Sequence, residues 1–239
     1  MVIKTQGIVL HTTKYSDNNI IVFMYTLHLG RCSFIIHGIH STKSKYKIGL
    51  FQPLSILDIE ISHSPKRELQ QVKDVALQMV MVSIPGNVVK STIALFIGDV
   101  LSRVLREEEN NEQLFNFLAQ SIKLLETMTE GVADFHVVFL ANLSKHLGFF
   151  PDNNFSETSK FFDGKLGMFV PHKSTHCLDT EESRLLSRML EADFIEMGNL
   201  HLNKSVRHLF LQIMIDFYSL HIPNFKNLHS LKILHEVFA

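Results

Sequence analysis

Short apolar runs separated by turn residues make up the first third of the chain. Residues 56–63 (ILDIEISH) alternate between apolar and polar positions, which predicts a strand with one face in water. The apolar positions of residues 68–77 are spaced closer to three residues apart than to the two that are typical of a strand. We nevertheless predict a strand here, which pairs back as a hairpin. Five short strands with turns between them indicate a small barrel or sandwich. The predicted strands are 6–12, 19–26, the run that follows the turn at Gly30, 56–63 and 68–77.

After Pro85 and Gly86 the apolar spacing changes to three and four, which predicts amphipathic helices. Asp179 or Thr180 is a suitable N-cap, and the acidic residues that follow favour a helix N-terminus. The sequence therefore predicts an α+β, multidomain protein with a barrel in residues 1–80 and a helical domain in residues 81–239. The predicted helices are 88–109, 111–128, 132–150, 179–191, 203–222 and 227–238, with an irregular segment at 152–178.

Composition adds little to this class assignment. Hydrophobic residues make up 46% of the chain and charged residues 20%, as in an ordinary folded protein. No apolar run is long enough to span a membrane, and the first residues lack the apolar core of a secretory signal. Only Cys32 and Cys177 are present, and nothing favours a disulfide between them. We expect an intracellular protein with no membrane association.

Charge is distributed unevenly along the chain, although the net charge is only -1. Residues 1–80 hold nine Lys and Arg against five Asp and Glu, a balance of +4, and residues 81–239 carry -5. A basic module on an acidic body is typical of proteins that bind polyanions. Chance is the competing explanation, because +4 is a modest excess. Charge alone does not decide between the two.

Basic and aromatic side chains occur together in and between the predicted strands. Lysines neutralise phosphates without reading bases, and exposed aromatic rings next to them can stack on bases. A solvated lysine-rich loop with aromatic side chains in the core is the alternative. A five-stranded barrel favours the functional interpretation, because this architecture often binds oligonucleotides. The candidate DNA-binding residues are Lys4, Lys14, Tyr15, Arg31, Lys43, Lys45, Tyr46 and Lys47.

Motifs of known enzyme classes do not occur in the sequence. It has no glycine-rich phosphate loop, no nucleophile elbow and no paired-histidine zinc motif. Most of the fourteen histidines are isolated, and the one close group is His172, His176 and Cys177. Those three side chains could ligate a metal ion, but a four-ligand zinc site normally draws on a second pair. A histidine-dependent metal hydrolase is therefore an alternative that would need a converging cluster.

Ordered short motifs over the whole chain resemble the bacterial RecO family of DNA-repair and recombination mediators. The match begins in the strand region and ends in the last helix, at the expected length and in the expected order. The matching residues are Gly7-Ile8-Val9-Leu10, Tyr15-Ser16-Asp17, Thr26 before Gly30, Gly38, Lys43-Ser44-Lys45, Leu50, Gln52-Pro53-Leu54, Arg207, Phe217-Tyr218, His221 and Ser230-Leu231-Lys232-Ile233-Leu234.

The resemblance implies an N-terminal OB-fold followed by an α-helical domain. It also implies binding of single- and double-stranded DNA, annealing of complementary strands, and help in loading RecA onto gapped DNA. The implied protein partners are RecR and the C-terminal tail of single-stranded DNA-binding protein. No cofactor and no catalysed covalent step are implied, and we expect a cytoplasmic, nucleoid-associated monomer. An OB-fold module that binds RNA stays an alternative, because this fold does not select the sugar.

The sequence departs from the family in one region. Many RecO proteins carry a four-cysteine zinc module, and here residues 149–178 contain only Cys177. We predict that this segment is held by apolar packing without a metal, with a degenerate site at His172, His176 and Cys177 as the alternative.

The acidic C-terminal tail of single-stranded DNA-binding protein would need an apolar pocket and a nearby cation on this chain. The candidate cations on the predicted helices are Arg103, Arg106, Lys145, Lys204 and Arg207.

Overall fold

The computed structural model has two compact units. The first contains Met1–Thr127 and His229–Val237, and the second contains Met128–Leu228 and Phe238. Division of the chain at residue 80 separates the five long strands from the α-helices, whereas the first compact unit contains those strands together with α-helices that follow residue 80. The functional boundary at residue 80 stays a prediction. The structure describes residues 1–39, 41, 45–64, 66–105, 110–192, 194, 202–225 and 227–238.

Five strands of the first unit form a closed barrel with the order β1-β2-β3-β5-β4. All neighbours are antiparallel except β3 and β5, which pair in parallel. A short 3-10 helix, Ile48–Phe51, lies on the connection from β3 to β4. The barrel prediction is confirmed, and the sandwich alternative is wrong because the sheet closes. The strands are β1 (Val2–Lys14), β2 (Ile20–Thr26), β3 (Gly30–Ile36), β4 (Ile56–Ser62) and β5 (Leu69–Leu77).

The apolar side chains at alternate strand positions point inward and fill the barrel. Leu57, Ile59 and Ile61 of β4 are buried as the pattern predicts, while Asp58 is exposed. β1 is longer than predicted because it pairs with both β2 and β4. Burial of this apolar set stabilises the barrel by about 25 cal/mol per Å² removed from water. The buried core consists of Val9, Ile20, Val22, Met24, Phe34, Ile36, Ile39, Phe51, Leu57, Ile59, Ile61 and Val75.

Four helices complete the first unit, and α2 packs closely on β1. Gly98 makes this approach possible, since a Cβ there would lie 2.7 Å from the carbonyl oxygen of Leu10. The side chain of Asn87 caps α2 through the amides of Val89 and Lys90. Residues 106–109 of the predicted helix lie outside the described residues. The helices are α1 (Ser83–Gly86), α2 (Val88–Val104), α3 (Glu112–Thr127) and, from the chain end, α7 (Ser230–Val237).

The second unit is organised around α4 (Phe135–His146), most of which is buried. The fully buried Tyr218 donates its hydroxyl to the carbonyl of Leu140 at 2.8 Å. A capping box confirms Asp179 as the N-cap. Its carboxylate accepts from the amide of Glu182, and the carboxylate of Glu182 accepts from the amide of Asp179. The other elements are the two-stranded β6 (Phe161–Asp163) and β7 (Met168–Val170), α5 (Thr180–Glu191) and α6 (Lys204–His221). The sequence pattern missed the short hairpin β6-β7.

Candidate nucleic-acid interface

Exposed lysines lie along β1 of the barrel. Lys4 is on the outer face, with its Nζ 3.7 Å from a carboxylate oxygen of Glu60 on β4. Lys14 ends the strand and pairs with Asp17 at 2.9 Å, in the connection to β2. Exposed pairs of this kind contribute little to stability. Both ammonium groups therefore remain able to exchange a carboxylate for a phosphate.

The connection from β1 to β2 also presents an aromatic ring. Tyr15 is 59% exposed, which is unusual for a large side chain and leaves a face on which a base could stack. Lys47 is exposed directly before the 3-10 helix, and no ion pair involves it within the described part of the chain. Lys43, the third candidate of this group, lies outside the described residues.

Lys45 and Tyr46 are held against β5. The Nζ of Lys45 lies 3.0 Å from the Oδ1 of Asp74 and donates to the carbonyl of Lys73. The Tyr46 hydroxyl donates to the same carbonyl at 3.1 Å, and its ring meets Phe51 edge-on with centroids 6.4 Å apart. Hydrogen bonding to Tyr46, and then to Asp74, raises the pKa of Lys45. Tyr46 is half-buried, so its ring is less open than that of Tyr15.

Arg31 contributes to the packing of α2 against the barrel. Its Nη1 donates to the carbonyls of Ser102 and Leu105 at 3.0 and 2.9 Å. These carbonyls belong to the C-terminal end of α2, where a helix leaves its acceptors unsatisfied and favours a cation. Next to Arg31, the ring of His11 contacts the Ser102 hydroxyl and stacks on Phe23. Burial is the larger cause that lowers the pKa of His11, and the charge of Arg31 is the second. A DNA-binding role for Arg31 stays a prediction.

Three further cations of the barrel were missed by sequence reasoning. Lys66 and Arg67 are exposed on the connection from β4 to β5, and Lys73 is exposed on β5. In OB-type barrels the connections β1-β2 and β4-β5 border the surface that binds oligonucleotides. Two adjacent basic residues in the turn between the strands predicted at 56–63 and 68–77 were the available signal.

The candidate partner-binding cations occupy different environments. Arg207 is largely buried, donates through Nε to Asp134 at 2.6 Å and through Nη2 to the carbonyl of Leu202 at 2.8 Å. Arg103 pairs with Asp99 one helical turn earlier at 3.2 Å. Arg106 lies outside the described residues, so no environment is assigned to it.

Lys145 and Lys204 are the exposed members of this group. The Nζ of Lys145 lies 4.6 Å from the ring centroid of Phe150, which is close enough for a cation-π contact. Lys204 is the first residue of α6 and is exposed. Both side chains are exposed to solvent, and the Nζ of Lys145 also lies 3.4 Å from the Oδ1 of Asn142 and 3.4 Å from the carbonyl of Leu190.

A carboxylate organises the segment between α4 and α5. Asp163 is buried, and its Oδ1 accepts from the amides of Lys165 and Leu166 at 2.9 and 3.1 Å. Its Oδ2 accepts from the Ser174 hydroxyl at 3.3 Å and from the Cys177 thiol at 3.8 Å. Burial alone would raise the pKa of Asp163, but these hydrogen bonds outweigh it and lower the pKa. The carboxylate is therefore bound as an anion by hydrogen-bond donors.

The residues of this segment do not fit a zinc ion. His172 and His176 are exposed, and the ring of His176 contacts the Nζ of Lys165 at 2.9 Å. Within the described residues, no group of three or more His, Cys, Asp or Glu side chains could hold a metal ion. Phe162 and Phe169 pack edge-on in the same segment, with centroids 5.1 Å apart. Packing and the Asp163 hydrogen bonds thus account for its local structure.

The strand order of the closed barrel, with exposed lysines on and beside its strands, defines a protein of the OB-like class. The family model described as "Recombination protein O N terminal" matches residues 1–79, and the model described as "Recombination protein O C terminal" matches residues 86–232. The chain belongs to the recombination protein O family, as the resemblance in the sequence implied.

Full-length relatives agree with this assignment. The "DNA repair protein RecO" of Flavobacterium psychrophilum is 36% identical over 240 residues, and that of Phocaeicola vulgatus is 36% identical over 241 residues. The protein of the same name from Azobacteroides pseudotrichonymphae is 32% identical over 242 residues. Each alignment covers 100% of both chains. Among the described residues, no helix is long and apolar enough to cross a membrane.

Proposed function

We propose that this protein is a recombination mediator of DNA repair that binds single- and double-stranded DNA and anneals complementary strands. The observation that carries the proposal is the OB-like barrel with exposed Lys4, Lys14, Lys45 and Lys47, in a chain that belongs to the recombination protein O family. Cations that neutralise phosphates reduce the repulsion between two strands, so strands held on the protein can pair. DNA binding is assigned to residues 1–80.

The proposed mechanism contains no covalent step and needs no nucleotide or metal. Phosphate contacts give affinity without sequence preference, and Tyr15 adds a stacking surface for an unpaired base. Lys66 and Arg67 extend the set of cations to the second connection that borders the binding surface of an OB-type barrel.

Protein partners are assigned to residues 81–239. We propose that the C-terminal tail of single-stranded DNA-binding protein binds there, that RecR is a second partner, and that the complex helps to load RecA onto coated DNA. Lys145 and Lys204 are the cations that suit an acidic tail best, because their charges are exposed. Arg207 is assigned to structure instead, since Asp134 already neutralises it.

A strand-annealing assay tests the central claim, with and without DNA coated by single-stranded DNA-binding protein. Acceleration of annealing on both substrates is expected, and no acceleration on either would refute the mediator function. Competition between matched DNA and RNA oligonucleotides in the same assay separates this function from RNA binding.

Substitution of Lys43, Lys45 and Lys47 together by Ala tests the lysine-rich segment. Binding should weaken similarly for all sequences, and the logarithmic salt dependence should become shallower, because phosphate contacts are lost. Fluorescence anisotropy at several salt concentrations measures both quantities. An unchanged salt slope would contradict phosphate contact by these lysines.

A further inference from the structure

The contact between Lys45, Tyr46 and β5 lies within the surface assigned to DNA binding. The carboxylate of Asp74 accepts from Lys45 at 3.0 Å and from the Tyr46 hydroxyl at 3.3 Å. Its Oδ1 also accepts from the amide of Val75 at 2.9 Å. The backbone thus orients the carboxylate towards the lysine-rich segment.

Stability does not explain this carboxylate. The side chains of Lys45 and Asp74 are 63% and 64% exposed, and pairs that are this accessible to water contribute little to folding. Asp74 also lies directly opposite Glu60 on β4, and like charges in that position repel. Each of these two carboxylates has a cation of its own, Lys4 next to Glu60 and Lys45 next to Asp74.

A carboxylate that holds a lysine in a nucleic-acid-binding segment presents the same kind of anionic oxygen as a DNA phosphate. Both anions accept charge-assisted hydrogen bonds from an ammonium group. The Nζ of Lys45 has three donors and already contacts the Asp74 carboxylate and the Lys73 carbonyl, so a DNA phosphate competes with these acceptors for Lys45.

We propose that Asp74 is an intramolecular competitor of DNA, which retains Lys45 and Tyr46 on β5 until a phosphate replaces its carboxylate. The inference rests on the proposed DNA-binding function and adds its regulation. Because one ion pair is exchanged for another, Lys45 contributes less to affinity than a lysine with no partner would. Removal of the Asp74 charge should therefore strengthen DNA binding.

The test compares Asp74→Asn with Asp58→Asn in the full chain. Asp58 offers a matched control, since it is exposed on neighbouring β4 and its carboxylate accepts from Gln6 at 3.2 Å instead of from a lysine. Both variants remove one negative charge from the barrel, and Asn can still accept the amide of Val75. Anisotropy with a single-stranded oligonucleotide is measured over a range of salt concentrations.

Asp74→Asn should lower the Kd about two- to fivefold more than Asp58→Asn does, the factor expected for one exposed ion pair. The salt slopes of the two variants should be similar, because Lys45 reaches a phosphate in both complexes and the number of phosphate contacts does not change. In a Lys45→Ala background the two Asn variants should have equal affinities, because no lysine is left to release.

The possible failures are distinguishable. Equal affinities of Asp74→Asn and Asp58→Asn would overturn the inference, while DNA binding by the unmodified chain would leave the proposed function intact. If the unmodified chain and both variants show no salt-dependent binding, the proposed function is refuted together with the inference.

Discussion

Two cation-carboxylate pairs illustrate how differently the two compact units use charge. In the barrel, Lys45 and Asp74 meet at 3.0 Å with more than half of each side chain in water. In the second unit, Arg207 and Asp134 meet at 2.6 Å with only 16% and 7% of their side chains exposed. Both cations were candidates for binding from sequence alone. The comparison shows that the residue type did not distinguish an exchangeable pair from a structural one.

Burial changes the consequence of losing one partner. An exposed charge that loses its partner is hydrated again, whereas a buried charge left without one carries the cost of desolvation. Arg207 also donates to the carbonyl of Leu202 and lies 5.8 Å from the ring of Phe238. The pair in the second unit therefore belongs to its packing, and the pair in the barrel is available for ligand exchange.

Arg207→Ala should have the largest effect, because it leaves Asp134 buried without its cation. We expect the free energy of unfolding to fall by about 3–5 kcal/mol, the usual loss when a buried pair is broken. Chemical denaturation followed by circular dichroism measures this change. Loss of less than about 1 kcal/mol would place Arg207 with the exposed pairs.

Glu126→Gln tests a carboxylate of intermediate burial that is bound mainly by backbone amides. The carboxylate of Glu126 accepts from the amides of Val82, Ser83 and Ile84 at 2.7–2.8 Å. Burial alone would raise its pKa, but these amides and the charge of the buried Lys90 outweigh burial and lower the pKa. The substitution should cost about 1–2 kcal/mol at neutral pH, because Gln accepts with a neutral oxygen.

The sign of the pH dependence follows from the lowered pKa. A carboxyl group whose pKa is lower in the folded chain stabilises the fold at pH values above its pKa in the unfolded chain. This stabilisation is lost as the pH falls through the pKa of the folded chain. The difference between Glu126→Gln and the unmodified chain should therefore shrink below about pH 4.5. Denaturation midpoints from pH 7 to pH 3 measure it, and a constant difference would contradict the lowered pKa.

Tyr218→Phe separates burial from charge in the second unit. The hydroxyl is fully buried and bonds the carbonyl of Leu140 without any ionised partner. We expect a loss of about 1 kcal/mol, the usual value for a neutral hydrogen bond. A loss as large as that of Arg207→Ala would mean that burial rather than charge determines the difference between the two pairs.

Lys45→Ala should have the smallest effect on stability. The midpoint of thermal unfolding is expected to stay where it is, because the exposed pair contributes little to folding. A clear decrease of the midpoint would show that the contact with Asp74 is structural, which would remove the basis for treating it as exchangeable. Lys14→Ala, which breaks the exposed pair with Asp17, is the matched control.

Much of the secondary structure followed from local pattern. The alternation at residues 56–63 predicted β4, and Asp179 was one of two N-cap candidates because its residue type and the acidic residues after it favour a helix N-terminus. The hairpin β6-β7 was missed, since each strand has only three residues and no period can develop. Lys66 and Arg67 were missed as site candidates because a turn signal does not show which side of a barrel the turn borders.

By itself, the sequence determined the order of strands and helices, the basic first third of the chain and the membership of the family. These properties depend on neighbours two to four positions apart or on motifs in linear order. Only the tertiary structure decided that Arg31 reaches the carbonyl of Ser102 and that Arg207 reaches Asp134, 71 and 73 positions away. The physical reason is that burial and partner choice depend on which elements pack together, and local periodicity does not carry that information.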